Sequence, residues 1–89
     1  MTSGNNFSFV YAKSVVKDVE KIHSLDRIRI KEQIELLSAF PLVQNIKRLT
    51  NHPLADFRLR VGNYRVLFDV DFDNRKLFIL KIGHRKDVY

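Results

Sequence analysis

DFRLRVGNYRVLFDVD, residues 56 to 71, alternates with a period of two on both sides of a glycine. Phe57, Leu59 and Val61 alternate with Asp56, Arg58 and Arg60, the pattern of a half-buried strand with its cations outward. Gly62-Asn63 suits a two-residue hairpin turn, because glycine takes positive φ without steric cost. The returning strand runs from Tyr64 to about Phe72. Val66, Phe68, Val70 and Phe72 fall on one face; Arg65, Leu67, Asp69 and Asp71 fall on the other. Alternation therefore puts Arg58, Arg60 and Arg65 on a single face. Asp73-Asn74 makes the next turn. Lys76 to Gly83 is apolar on both faces, as a central strand is. The tail HRKDVY follows.

Upstream the period changes. Residues 7 to 11, FSFVY, are aromatic and β-prone and read as a first strand. Val15, Val19 and Ile22 recur at helical spacing, with Ser14 as the cap. Ile30, Ile34 and Leu37 repeat that spacing after Asp26, a second cap residue, and Ile28 and Leu36 broaden the stripe. Phe40-Pro41 ends the helix, since a residue before proline is pushed out of helical geometry. Residues 41 to 54 carry both prolines and no period, and read as a connection. The expected fold is α+β: a single domain over 1–89, ordered β-α-α-β-β-β. A helical hairpin covers one face of a mainly antiparallel sheet and leaves the other face free. Residues 1 to 6 are expected to form a loose tail, with no trailing helix after HRKDVY.

The 89-residue length fits one domain with a modest core, and 45% hydrophobic residues is a globular composition. No apolar run approaches a membrane span, and MTSGNN lacks the apolar centre of a secretion signal. The chain has no cysteine, which excludes disulfides and thiolate metal sites and makes the cytoplasm the expected compartment. The net charge of +6 is uneven. Residues 1–44 hold six Lys/Arg against five Asp/Glu, and residues 45–89 hold ten against five. A localised basic surface attracts phosphate backbones or an acidic protein.

Several chemistries lack their residues. His23, His52 and His84 have no metal-ligand spacing, and Gly4, Gly62 and Gly83 form no phosphate-binding loop. Asp69, Asp71 and Asp73 recur every second residue, but they read as a solvated strand edge and turn. No metal or other cofactor is expected. What remains is cationic. Arginine presents a planar fork to phosphate oxygens and stabilises the charge of a phosphorane-like transition state. It does not serve as a base. Tyr89 and His84 have the chemistry for proton transfer. The bland alternatives are surface ion pairs of the arginines with Asp56, Asp69 and Asp71, and a Tyr89 ring that simply packs.

The pattern Arg58, Arg60, tight turn, Tyr64-Arg65, then Gly83, Arg85 and Tyr89 resembles the toxins of the RelE/ParE superfamily, from type II toxin–antitoxin systems. The resemblance covers nearly the whole chain and is most specific in its C-terminal third. It implies a RelE-like fold and an mRNA interferase that enters the ribosomal A site. There the message is cleaved by attack of its own 2′-hydroxyl, without a metal. On this resemblance Arg65 matches the transition-state arginine. Arg85 matches the arginine that assists phosphate charge or the leaving group. Tyr89 matches the tyrosine that orients or activates the 2′-hydroxyl. Arg58 stands where RelE has a lysine, and Asp56 stands where it has another. His84 is a second candidate for proton transfer beside Tyr89, and Asp56 a third. Arg60, Lys81, Lys86, Lys47 and Arg48 are expected to grip the ribosomal and messenger backbones. The implied partners are a RelB-like antitoxin, the ribosome with its mRNA, and operator DNA through the antitoxin complex only, with no membrane. A gyrase-poisoning ParE-like toxin and a non-catalytic binding module are the rival readings.

Overall fold

The structure is a computed structural model that describes residues 7–88, so the expected tail at 1–6 and Tyr89 lie outside the described residues. Five strands form one sheet: β1 (Ser8–Tyr11), β2 (Ile46–Arg48), β3 (Phe57–Val61), β4 (Tyr64–Asp71) and β5 (Lys76–His84). Their order across the sheet is β1-β5-β4-β3-β2, with β1 parallel to β5 and every other pair antiparallel. Helices α1 (Lys13–Glu20) and α2 (Ser24–Leu36) cover one face, and a one-turn helix α3 (Arg85–Val88) closes the described chain. The α+β class and the helical pair on a sheet are as the sequence implied.

The hairpin is built as its alternation dictates. Val61 pairs with Tyr64 across Gly62-Asn63, and Gly62 has φ of 58°. Leu59, Val66 and Phe68 are fully buried, together with Val15, Ile30, Ile34 and Leu37 from the helical layer. Burying such side chains contributes about 1.5–3 kcal/mol each. At the sheet end away from the Gly62 turn, Phe57 stacks on Phe68 at 5.5 Å and Phe40 meets Phe57 edge-on at 5.2 Å.

The central strand β5 changes partner along its length. β1 pairs with it only as far as Tyr11 opposite Ile79. Beyond that point α1 takes over the edge. The Ile82 N–H donates to Asp18 Oδ2 at 3.0 Å, and the Ser14 hydroxyl donates to the Leu80 carbonyl at 3.3 Å. On the β4 side the register shifts, with Phe68 opposite Ile79 but Leu67 opposite Lys81. Leu80 has no opposite number, and the extra residue lets both Ile79 and Ile82 face the helices.

Several details depart from the sequence reading. The connection 41–54 contains β2, three residues held to β3 by Lys47 opposite Arg58. Three residues are too few to show a period. Ser14 does not cap α1, whose N-cap is Ala12. His23 rather than Asp26 caps α2, its Nδ1 accepting from the Leu25 N–H at 3.3 Å. Ile28 and Leu36 are each 56% exposed and lie off the buried stripe.

The second face is not free. Leu67 is fully buried there, covered by Ala55 and by Val88 of α3, with Leu49 and Leu80 packed alongside. A further turn of helix follows Gly83 where only a tail was expected. Val88 lies so close to Gly83 that a Cβ on the glycine would be 2.9 Å from Val88 Cγ2. Gly83→Ala is therefore expected to destabilise the fold by about 1–3 kcal/mol in urea unfolding. Val88→Ala should cost less in the Gly83→Ala background than in the wild type, because the two side chains compete for one space.

Candidate functional site

Cross-strand partners share a face, so the registers assign the cations. Lys47, Arg58, Leu67 and Lys81 form one row across the second face. Arg60, Arg65 and Gly83 form the next row, closer to the hairpin turn. Arg60 and Arg65 are directly opposite one another. Like charges so placed repel and cost stability, so packing alone does not select them. Arg48 falls elsewhere. It pairs with Phe57 on the helix-covered face and its guanidinium lies 6.0 Å from the Phe57 ring centre.

Two of the carboxylates expected to neutralise the arginines, Asp69 and Asp71, accept from main-chain and amide donors. Asp69 Oδ1 accepts from the Asp56 N–H at 2.6 Å, which ties the segment before β3 down onto β4. Asp71 accepts from the Asn74 N–H and side-chain amide, and those bonds hold its carboxyl below the usual range. Among the described residues Lys47, Arg58, Arg60, Arg85 and Lys86 make no ion pair. Lys81 does. Its Nζ is 3.1 Å from Asp18 Oδ1, which draws this cation to α1 and away from the arginine rows.

The hairpin turn holds the site together. Arg65 Nη1 donates to the carbonyls of Gly62 and Tyr64, both at 2.9 Å, so the guanidinium is folded over the turn. The Arg85 N–H donates to the Asn63 carbonyl at 2.8 Å, which anchors the start of α3 to the same turn. Arg65 lies across from Gly83, and Arg85 follows two residues later, so the backbone of both is carried at this turn. His84 pairs with Tyr64, its ring edge-on at 5.8 Å, on the opposite side of the sheet from Arg65. Tyr89 lies outside the described residues. The sequence reading missed Asn63, whose backbone carbonyl carries no side-chain signal. It also missed the seat of Val88; an apolar residue five places beyond a strand glycine was the available clue.

Tyr64 joins this end to α2. Its hydroxyl is held above the ordinary phenol value near 10 by burial first, then by the charge of Asp26 and a hydrogen bond to it. Tyr11 is raised likewise, by burial and then by Glu35. On the helix side, Tyr11, Val15, Val16, Val19, Ile30 and Ile34 line an apolar groove of about 430 Å³, with Arg27 and Lys31 at its rim. Among the described residues no group of three or more His, Asp or Glu side chains converges. None of the described helices is long and apolar enough to cross a membrane.

A family profile described as ParE toxin of type II toxin–antitoxin system, parDE, matches residues 9–89. The chain belongs to the RelE/ParE superfamily of type II toxin–antitoxin toxins. The toxin is 33% identical to RelE1 of Methanocaldococcus jannaschii over 86 residues, which span 93% of this chain and 94% of that one. Its fold matches the RelBE2 toxin–antitoxin complex of Mycobacterium tuberculosis with a TM-score of 0.77 and 25% identity, covering 90% of this chain and 99% of that one. It matches the RelB–RelE antitoxin–toxin complex of Methanococcus jannaschii with a TM-score of 0.70 and 31% identity, covering 90% and 94%.

The toxin's basic face makes a clear expectation. Arg60→Ala should raise thermal stability, by up to about 1 kcal/mol, because it removes a repulsion. The same change should weaken binding to a single-stranded oligonucleotide and reduce the salt slope by about 0.7–1. Arg48→Ala should leave that slope unchanged, since Arg48 is on the other face. Alkaline behaviour follows from Tyr64. A phenol whose folded value is raised stabilises fully below pH 10 and loses that contribution as pH rises through the folded value. In an absorbance titration the Tyr64 component should lie above 10 and move down in Asp26→Asn.

Proposed function

We propose that this toxin is a ribosome-dependent endoribonuclease that cleaves mRNA in the A site and so arrests translation. The observation that carries the reading is the facing pair Arg60 and Arg65, set beside Arg58 on a face whose carboxylates do not answer Arg58 or Arg60. Arg58 and Arg60 so placed attract a polyanion. In the proposed reaction the 2′-oxygen attacks the adjacent phosphorus while the P–O5′ bond breaks. Arg65 and Arg85 stabilise the charge that grows on the phosphoryl oxygens, aided by Arg58. The 2′-hydroxyl proton passes to a base, and the departing 5′-oxygen takes up a proton. Tyr89 is assigned the 2′-hydroxyl. Arg60, Lys47 and Lys86 hold the backbone. Neither metal nor cofactor takes part.

A RelB-like antitoxin is the proposed partner, as in the two solved complexes of relatives. Its apolar helix suits the groove between α1 and α2, and acidic residues beyond it suit the basic face. Operator DNA is contacted through that complex alone, and the compartment is the cytoplasm. A second reading has one observation in its favour. The matching profile is that of ParE, and on this reading the fold serves as a gyrase poison in place of a ribonuclease.

The test is cleavage of mRNA on programmed ribosomes with an open A site. Wild type is expected to cut within the A-site codon. Arg65→Ala, Arg85→Ala and Tyr89→Phe should each lose about 10²–10³ in rate. An intact message, with growth still arrested and DNA supercoiling inhibited, would favour the ParE reading.

A further inference from the structure

His84 was a candidate for proton transfer on chemistry alone. Its surroundings assign it another task. Its Nδ1 accepts from the Lys86 N–H at 3.2 Å, the geometry of a side-chain cap on the first turn of α3. Accepting at Nδ1 places the proton of a neutral imidazole on Nε2. The ring is edge-on to Tyr64 and on the other side of the sheet from Arg60 and Arg65.

The segment that His84 caps is short. α3 is a single turn of four residues. Its other ties among the described residues are the Arg85 N–H on the Asn63 carbonyl and Val88, buried against Gly83, Leu67 and Ala55. Arg85 itself is exposed, and nothing among the described residues pairs with its charge. The backbone that carries it therefore sets the point from which its side chain reaches out. Among the described residues that backbone is fixed by one carbonyl in the turn, the apolar seat of Val88 and one imidazole nitrogen.

We infer that His84 is a positioning residue of this toxin: it caps the C-terminal turn and thereby aims Arg85 at the Arg60–Arg65 end of the sheet. The catalytic side of the inference rests on the ribonuclease reading; the capping side does not. Asparagine provides the decisive variant. Its Oδ1 stands at the same distance along the side chain as His Nδ1 and accepts the same hydrogen bond, but it has no group that shuttles a proton.

The experiment compares wild type, His84→Asn and His84→Ala in three measurements: hydrogen exchange of the Lys86 amide, growth arrest on induction without antitoxin, and cleavage on ribosomes. The expected result is that His84→Asn keeps the Lys86 amide protected and retains toxicity and cleavage within about threefold, a shift within cap-replacement energies. His84→Ala loses the protection and about tenfold or more of both activities, at the scale of one lost cap. The inference is overturned if His84→Asn is as inactive as His84→Ala while its Lys86 amide stays protected, since the imidazole is then doing proton chemistry. It is equally overturned if His84→Ala leaves protection and toxicity unchanged. Should wild type arrest growth without cutting mRNA, the ribonuclease reading fails alone, and exchange and toxicity still decide the role of His84.

Discussion

Strand β5 has a strand partner on both edges for only part of its length, and the carboxylate of Asp18 takes the place of the missing one. Where β1 stops opposite Ile79, a buried backbone donor at Ile82 is left at the sheet edge. A buried N–H without a partner costs about 1–3 kcal/mol. Asp18 answers it from α1 and takes the Lys81 ammonium at the same time. That one side chain docks the first helix, allows β1 to be short and lets β5 continue past the core. The continuation carries Gly83, His84 and α3 to the hairpin turn. The site is thus an extension of the central strand beyond the region where the sheet is paired on both sides.

The two ends of the sheet are consequently different in kind. One end is locked by aromatic rings, with Phe40, Phe57 and Phe68 in mutual contact. The other is held by main-chain carbonyls. Gly62 and Tyr64 bind the Arg65 guanidinium, and Asn63 binds the Arg85 amide. Backbone carbonyls orient these groups at the turn. The neighbouring acids, Asp69 and Asp71, are turned to backbone and amide donors instead. A surface so arranged keeps its positive charge for an external anion.

Much of this was legible in the sequence because period-two and 3.6-residue patterns report burial directly. Phe57, Leu59, Val61, Val66 and Phe68 needed no further information, and Gly62-Asn63 fixed the register between them. What was not legible depends on contacts between distant segments. Leu67 read as an exception on a polar face, because nothing local says that Ala55 and Val88 will cover it. Lys81 and Arg48 read as members of the basic set because sequence gives their charge but not their neighbours. An odd–even difference in β2 puts Arg48 on the other face, and the Asp18 carboxylate draws Lys81 from its row toward α1. His84 was visible as an ionisable group. Its hydrogen bond to the Lys86 amide became visible only once the chain after β5 was seen to turn.

The sheet face and the helix face pose complementary problems for the free toxin. Arg60 and Arg65 lie directly opposite one another on one face, and an apolar groove with Val16 60% exposed lies on the other. Filling the groove removes apolar area from water, and covering the cations with anions removes the repulsion. One extended acidic chain with an apolar helical segment would do both. Any ligand that binds only the folded state adds stability according to its concentration over its dissociation constant. A fold made less stable by two such surfaces is, by the same physics, stabilised by a partner that covers both.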